Sequence, residues 1–402
     1  MNKKKLLQLN VTANWGSTGK IAEGIGLAAM ARGWESTIAY GRMMNPSQSQ
    51  LIKVGSKIDP YLHYARHRLL DQEGLGSKGA TKKFIKEIDS LEPDIIHLHN
   101  IHDHWLNYPL LFDYFASIDT PIVWTFHDCW AFTGGCAHFV EWNCNQWITK
   151  CEKCPFQKRK IRGERSNHKK HIKYFTQLQE RLHIISVSSW LDGLVANSRL
   201  RDIPHSYIYN GVDCDVFTPR DPTSLLVRYN LIGKKILLGV SSVWPKSKGI
   251  DDYIELSKLL DDSYRIVLIG VPVNLHKNLP SNIIPIERTQ NIDVLAEWYS
   301  AAIAVLSLSK AETFGMTLAE GLACGTPSIG YNSTAIKEII SSSTGLGVPV
   351  GNIMELKKAI QYLCSHIEEY QLSSCRNRAL TNYNKNLQFD KYIDLYESII
   401  EK

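Results

Sequence analysis

The segment Ala302–Asn332 reads AIAVLSLSKAETFGMTLAEGLACGTPSIGYN. It begins with an apolar run, AIAVLSLS, and ends with another, PSIGYN, so a loop and a short helix must join two strands. Apolar strands that alternate with helices are typical of a parallel sheet covered on both faces. The segment therefore predicts a doubly wound α/β fold.

The same alternation recurs along the whole chain, in two series. The strands predicted in the first half are LLQLNV, STIAYG, DIIHLHN, PIVWTFHD, IISVSS and SYIYNG. Those predicted in the second half are KILLGVSS, RIVLIGV, NIIPI, AIAVLSLS, PSIGYN and GLGVPV. The turn-rich segment Asn210–Pro222 separates the two series. We therefore predict two domains, residues 1–212 and 213–385, with a C-terminal helix at about 386–402 that packs back on the first.

Composition and charge narrow the class of protein. The chain has 402 residues, 44% of them hydrophobic, a net charge of +6 and nine cysteines. No apolar run approaches the roughly 18 residues that span a bilayer, and an odd number of cysteines fits a reducing compartment. We expect a cytoplasmic protein that associates peripherally with the inner face of the cell membrane.

A basic segment, Lys158–Lys173, carries the most uneven charge in the chain. Its cationic residues are Lys158, Arg159, Lys160, Arg162, Arg165, Lys169, Lys170 and Lys173. Clustered lysines and arginines are attracted to anionic lipid, so the segment predicts contact with an anionic membrane. The alternative is an ordinary solvated helix face.

Two glutamates follow the strand AIAVLSLS, where open α/β sheets place their ligands. Glu312 and Glu320 supply carboxylates for hydroxyl groups, and Gly315 between them allows close approach of the backbone. The start of the following helix offers amides to a phosphate or sugar oxygen. Thr317 and Glu320 also have the spacing of a capping box, which is the structural alternative for Glu320.

The stretch ETFGMTLAEGLACGTP, with Glu312 and Glu320 in it, resembles the paired-glutamate motif of retaining glycosyltransferases of family 4. Further matches are PDIIHLHN, TFHD, VSSW, YNGVD and the KG at Lys248, in the order of that family. WTFHDCWAFTGGCAHF and ERTQNIDVLAEWYSAA are similar to transferases of bacterial exopolysaccharide assembly, including the colanic acid type. The resemblance implies a GT-B fold, in which two Rossmann-like domains face each other across a cleft and the second binds the nucleotide sugar.

The resemblance also implies site residues in the second domain. Glu320 would hold the ribose hydroxyls, Glu312 the donor sugar, and Lys248 the leaving diphosphate. The arginine usual upstream of this lysine is missing from SSVWPKSKG, and Lys246 is the candidate to replace it. The remaining expected donor-binding residues are Phe314, Gly315, Met316 and Thr317.

Two features of the first half complete the expected site. The loop NWGSTGK lies between a strand and a helix, so the amides around Gly16 and Gly19 can cradle a diphosphate. It lacks Walker spacing, which excludes an ordinary ATPase, and a plain strand-to-helix turn is the alternative. His127 follows the strand PIVWTF, and the resemblance places it at the donor sugar. The alternative for His127 is a histidine packed at a strand end.

The sequence offers one candidate metal site and gives no reason to expect a metal in catalysis. Lys248, loop amides and a helix dipole all supply positive potential to a leaving group, so we expect no cofactor or divalent metal in catalysis. Four cysteines within a short stretch have the ligand type of a structural zinc site: Cys136, Cys144, Cys151 and Cys154. Disulfides, or thiols that bind no metal, are the alternatives.

We thus expect a retaining glycosyltransferase. It would move a sugar from a UDP- or GDP-sugar to a saccharide acceptor, lipid-linked, in the synthesis of bacterial exopolysaccharide or lipopolysaccharide. The alternatives are a sugar-nucleotide epimerase of the GT-B fold and a non-enzymatic basic binding protein. No stretch matches a nucleic-acid-binding module, so nucleic acid is not an expected partner.

Overall fold

A computed structural model describes residues 3–70, 72–151, 154, 166–289 and 291–401. The chain divides into two compact units, Met1–Ile208 with Asn386–Lys402, and Tyr209–Lys385. The first unit ends at Ile208, before the domain boundary predicted at residue 212. The physical reason is that Val212 forms a β-bridge with Asn384 and its amide donates to the Tyr383 carbonyl at 2.6 Å, which ties it to the second unit.

The described secondary structure alternates strands and helices. The strands are β1 (Lys5–Asn10), β2 (Glu35–Tyr40), β3 (Gln50–Lys53), β4 (Ile95–Leu98), β5 (Ile122–Phe126), β6 (Leu182–Ser186), β7 (His205–Tyr207), β8 (Lys235–Val240), β9 (Tyr264–Ile269), β10 (Ile283–Ile286), β11 (Ala304–Ser307), β12 (Ser328–Tyr331) and β13 (Gly345–Val348). The helices are α1 (Gly16–Ala31), α2 (Asp59–Leu70), α3 (Lys78–Leu91), α4 (Tyr108–Ala116), α5 (Ser166–Phe175), α6 (Ser189–Asn197), α7 (Thr223–Arg228), α8 (Ile250–Leu259), α9 (Val273–His276), α10 (Ile292–Ala301), α11 (Met316–Ala323), α12 (Ile336–Ile339), α13 (Ile353–Ser365), α14 (Leu372–Asn382) and α15 (Lys385–Ile400).

Each unit is built on one sheet. The first sheet has the order β3-β2-β1-β4-β5-β6-β7 and the second β10-β9-β8-β11-β12-β13. Neighbouring strands pair in parallel in both sheets. Strand order reverses direction beside β1 in one and β8 in the other, which is where such sheets place ligands. The prediction of two doubly wound parallel-sheet domains is confirmed.

Strand β3 was not predicted from the sequence. It lies at the edge of the first sheet and pairs only with β2, with Gln50 opposite Thr37. Its sequence, QLIK, contains two apolar residues, and these are only partly buried. A short edge strand of this kind lacks the continuous apolar run that identified the central strands.

The C-terminal helix α15 packs on the first unit. Phe389, Tyr392, Ile393 and Tyr396 belong to the same buried cluster as residues of α1, β1 and β4. The hydroxyl of Tyr396 bonds Nδ1 of the buried His97. The end of the chain thus completes the core under the amino-terminal sheet.

The core of the second unit lies between its sheet and the helices that flank it. Leu237 of β8, Leu268 of β9 and Ile329 of β12 share a buried cluster with Leu256 of α8 and Leu356 of α13.

Among the described residues, no helix combines the length and apolarity that crossing a membrane demands.

Candidate active site

The turn that carries Lys248 follows β8 and packs on the end of β11. Gly249 has φ of 78°, a left-handed conformation that favours glycine. A Cβ there would lie 2.3 Å from the carbonyl oxygen of Leu308. The amide of Lys310 also donates to the Ser247 carbonyl at 3.0 Å. Both contacts fix the lysine turn against the loop that carries Glu312.

Lys248 and Glu312 form the central ion pair of the site. The Lys248 Nζ and Glu312 Oε1 atoms are 2.6 Å apart, and both side chains are partly exposed. The Glu312 amide donates to Oγ1 of Thr334 at 3.0 Å, which positions the backbone of the glutamate. A cation and an acceptor carboxylate are therefore held side by side where a ligand can reach both.

Helix α11 begins at Met316, shortly after Glu312 in the chain. Its N-cap is Gly315, with φ of 109°, and no side chain caps it. The capping-box interpretation of Thr317 and Glu320 is therefore wrong, because the chain is already helical at Met316 and Thr317 cannot be the cap. The first amides of a helix lack intrahelical acceptors and sit at its positive end, which suits a phosphate.

Glu320 is oriented by a residue that the sequence did not single out. The Tyr299 hydroxyl donates to Glu320 Oε2 at 2.7 Å. Tyr299 is fully buried on α10, and the side chain of Glu320 is partly buried. The two residues are on different helices, so no spacing in the sequence connects them. Tyr299 thus helps to fix the position of this carboxylate.

The other expected donor-binding residues differ in their exposure to solvent. Phe314 is buried and packs on Tyr209 and Tyr383, with ring centroids 5.9 and 5.6 Å apart, so its ring belongs to the core. Met316 and Thr317 are partly exposed in the first turn of α11.

Lys246 does not join the Lys248–Glu312 pair. Its side chain is 90% exposed, and its Nζ lies 3.7 Å from Oδ2 of Asp251. The structure therefore pairs Lys248 with Glu312, places Gly315 at the start of α11 and Glu320 within that helix, and leaves Lys246 beside a different carboxylate.

An open cavity of about 530 Å³ lies at the carboxyl ends of β8, β9 and β10. Trp244, Pro245, Val271 and Pro272 give it apolar walls, and Glu287 and Arg288 add charge at one side. Trp244 and Pro245 directly precede the Lys248 turn. Two residues that line the cavity are thus close in sequence to Lys248. The cavity has room for a flat heterocycle.

His127 lies in the first unit, directly after β5, and its hydrogen bonds fix its tautomer. The Gln8 Nε2 group donates to the Ala22 carbonyl at 2.8 Å, so Gln8 Oε1 faces His99 Nε2 at 3.1 Å and must accept from it. His99 Nδ1 then accepts from His127 Nε2 at 3.1 Å. Burial lowers the pKa of His127 to about 4, and that of His99 well below its usual value.

Both rings are therefore neutral near pH 7, and His127 Nδ1 carries a lone pair. This nitrogen can accept a hydrogen bond from a hydroxyl. Gln8 and His99 were not predicted as functional residues. A polar Gln8 inside the apolar run LLQLNV was the available signal.

The loop before α1 is tied by its own side chains. Thr12 Oγ1 donates to the Trp15 carbonyl at 2.8 Å, and Gly16 adopts a left-handed φ of 67°. A Cβ on Gly19 would lie 2.8 Å from Thr12 Oγ1, so the loop closes tightly over the first turn of α1. Gly16 and Gly19 belong to the first unit, with His127.

In the described part of the chain, the cluster of possible metal ligands is not the one that the sequence predicts. In the described ranges, the group of three metal-ligating side chains with atoms within 4.8 Å of one another is His67, Glu73 and His104, and no cysteine belongs to it. None of the described cysteines forms a disulfide. The zinc site at Cys136, Cys144, Cys151 and Cys154 stays a prediction.

The basic segment is described only in part. Lys169, Lys170 and Lys173 lie on α5. Lys158, Arg159, Lys160, Arg162 and Arg165 lie outside the described residues.

The fold has counterparts among solved structures. A sucrose-phosphate synthase from Thermosynechococcus elongatus aligns over 99% of this chain and 100% of its own, with a TM-score of 0.74 and 15% identity. Anabaena HepE, solved in complex with UDP and glucose, aligns over 98% and 100%, with a TM-score of 0.69 and 14% identity. The two parallel-sheet domains of this chain match the GT-B fold of glycosyltransferase structures.

Sequence comparison identifies the family. Residues 24–216 match the model for Glycosyltransferase Family 4, and residues 234–366 match the model for Glycosyl transferases group 1. The chain thus carries a Glycosyltransferase Family 4 domain and a Glycosyl transferases group 1 domain, and it is a transferase enzyme. A relative in Escherichia coli K12, the putative colanic acid biosynthesis glycosyl transferase WcaC, is 22% identical over 98% of this chain and 100% of its own length.

Proposed function

We propose that this enzyme transfers a sugar, with retention of anomeric configuration, from a nucleotide diphosphate sugar to a lipid-linked saccharide acceptor in bacterial surface polysaccharide assembly. The observation that carries the proposal is the 2.6 Å pair of Lys248 and Glu312, which the start of α11, without a side-chain cap, follows in the chain. A cation and helix amides suit a diphosphate, and a carboxylate suits sugar hydroxyls.

The reaction places new negative charge on the leaving diphosphate. The bond between C1 of the sugar and the diphosphate oxygen breaks, and the acceptor hydroxyl oxygen bonds to C1 from the same face. The hydroxyl proton passes to the departing phosphate. Lys248 and the α11 amides stabilise the charge as it forms, since fixed positive groups need no reorganisation during the step.

The two glutamates hold the parts of the donor that do not react. Glu312 accepts hydrogen bonds from hydroxyls of the sugar, and Glu320, held by Tyr299, accepts them from the ribose. The apolar cavity beside Trp244 and Val271 receives the base. In the first unit, His127 can accept a hydrogen bond from a sugar hydroxyl through Nδ1. No step of this scheme is routed through a metal ion.

The comparisons support a nucleotide sugar as the donor. Anabaena HepE is a structural neighbour that was solved with UDP and glucose, and also with UDP-glucose. WcaC is named for colanic acid biosynthesis, which supports a polysaccharide pathway. UDP-glucose is therefore the first donor to test, followed by other UDP- and GDP-sugars.

Nucleoside diphosphate release is the direct assay. The enzyme is incubated with each donor, with and without a lipid extract from bacterial membranes as acceptor, and the released UDP or GDP is measured. We expect release from one donor that the extract accelerates and that EDTA leaves unchanged. Isomerised donor formed without acceptor would instead establish an epimerase, and full inactivation by EDTA with recovery in magnesium would contradict the metal-free scheme.

A further inference from the structure

Helix α2 of the first unit turns an apolar face to solvent. The face consists of Tyr61, Leu62, Ala65 and Leu69, which recur at three- and four-residue spacing along one side of α2, with Ile58 directly before the helix. Tyr64 and Leu70 extend the exposed apolar surface beside it. Tyr61 is 76% exposed and Leu62 62% exposed. An isolated exposed leucine needs no explanation, whereas a continuous apolar stripe on one helix does.

The opposite side of α2 is anchored to the domain. His63 is the one buried residue of the helix; its Nδ1 bonds Ser77 Oγ at 3.0 Å, and its Nε2 accepts from the Gly76 amide at 3.1 Å. One turn later, His67 Nδ1 bonds His104 Nε2 at 2.8 Å. These polar contacts fix the rotation of α2, so its apolar face points outward by construction.

Positive charge borders the apolar face. Arg66 and Arg68 are exposed on α2, and Lys57 is exposed just before it. At 100° per residue, the two arginines fall on opposite flanks of the stripe. Helix α3 starts nearby, since a Cβ on Gly55 would lie 3.2 Å from Ala80 and 3.6 Å from Asp59. Its first turns expose Lys78, Lys82 and Lys83, with no acidic residue in the first turn.

We propose that α2 is a membrane-docking helix that lies in the headgroup region of an anionic bilayer, with its apolar face toward the acyl chains. An interfacial helix combines these two features, an apolar side and flanking lysines and arginines. Charge complementarity selects anionic lipid over a second copy of the chain, because two such faces would bring like charges together. The docking does not depend on the proposed transfer reaction, and vesicle binding can be measured without donor or acceptor.

Co-sedimentation with vesicles tests the proposal on the full chain. The probes are vesicles of phosphatidylglycerol mixed with phosphatidylethanolamine, and vesicles of phosphatidylcholine alone. The double variant Leu62→Ser/Leu69→Ser leaves the charge unchanged, and we expect it to bind the anionic vesicles at least about tenfold more weakly than the wild type. The matched control is Leu27→Ser/Leu387→Ser, two exposed leucines of the same unit on α1 and α15, which should bind like the wild type.

Two further outcomes decide against α2. Unchanged vesicle binding by the α2 variant, together with release by Lys169→Glu/Lys170→Glu/Lys173→Glu on α5, would assign docking to the basic segment. A dimer in light scattering that the α2 variant converts to monomer, without vesicle binding by the wild type, would make the face a self-association surface. Equal binding to both vesicle types would overturn the role of charge. Circular dichroism of each variant shows that it is folded.

Discussion

At the scale of the residue, the two lysines of the β8 turn differ in a way that mutation can measure. Lys248 contacts Glu312, whereas Lys246 is exposed beside Asp251. We expect Lys248→Ala to lower kcat by about 10²–10³-fold, as loss of a preorganised charge does. Lys246→Ala, the matched control two residues away, should have a kcat close to that of the wild type. A comparable loss in both variants would show that Lys246 replaces the missing arginine after all.

The tautomer of His127 is a second prediction at this scale. The bonds through Gln8 and His99 require the proton of His127 on Nε2. Long-range nitrogen–proton NMR of the histidine rings should show a neutral Nε2–H imidazole at neutral pH in the wild type. In Gln8→Ala the proton should distribute between both nitrogens. A His127 ring protonated on Nδ1 in the wild type would contradict the assignment.

The local structure around candidate site residues was predictable where one short segment carried the signal, and the part of these residues in binding stays a prediction. Glu312, Gly315 and Glu320 lie on a single strand–loop–helix unit, with Glu312 in the loop, Gly315 at the N-cap of α11 and Glu320 within the helix. Partners from other elements were not predictable, because Tyr299 and Gln8 meet Glu320 and His99 only through tertiary packing. The capping-box interpretation failed because spacing alone does not reveal that Gly315 is the N-cap.

At the scale of the element, the contact of α1 with α15 gives a test of packing. A Cβ on Gly24 would lie 2.1 Å from Phe389 Cε2, in the buried cluster that holds the C-terminal helix. We expect Gly24→Ala to reduce the free energy of unfolding by about 1–3 kcal/mol through overpacking. Gly193 on α6 has open space around it, so Gly193→Ala should be neutral or stabilise by up to about 1 kcal/mol. Denaturant unfolding measures both free energies. An equal loss of stability in the two variants would contradict the close contact of Gly24 with Phe389.

Elements were predicted best where burial was complete. Central strands such as β4 and β11 are buried at every residue, and their apolar runs were sufficient to predict them. The edge strand β3 was missed because its side chains are only partly buried. The outward face of α2 was also not predicted, since amphipathic spacing does not say which side a helix turns to the protein. His63 and its partners decide that, and they come from separate segments.

At the scale of the whole molecule, buried neutral histidines make the first unit sensitive to acid. Burial lowers the pKa of His63 and of His171 to about 3, and that of His127 to about 4. All three belong to the first unit. The unfolded chain binds protons at these sites below about pH 6.5 and the folded chain does not, so their stabilising contribution is present above that pH and is lost as pH falls toward the folded values.

Calorimetry at neutral pH and near pH 5 can measure this effect. We expect the melting transition of the first unit to move to lower temperature at the acid pH by more than that of the second. A ligand of the second unit identifies which transition is which, because binding raises the stability of the unit that binds it. A first-unit transition that rises or stays constant on acidification would show that other groups outweigh these histidines, namely Glu73, whose pKa burial raises to about 7, and His102, whose pKa Asp128 raises despite burial.

The central claim is that the second unit binds a nucleotide diphosphate sugar at Lys248, Glu312 and Glu320, and a thermal-shift screen tests it most directly. UDP- and GDP-sugars are added singly to the wild type and to Glu320→Gln, which keeps the shape of the side chain but removes its charge. We predict that one donor raises the melting temperature of the wild type and raises that of the variant by clearly less. If no donor shifts the wild type, or if the variant responds equally, the assigned donor site is contradicted.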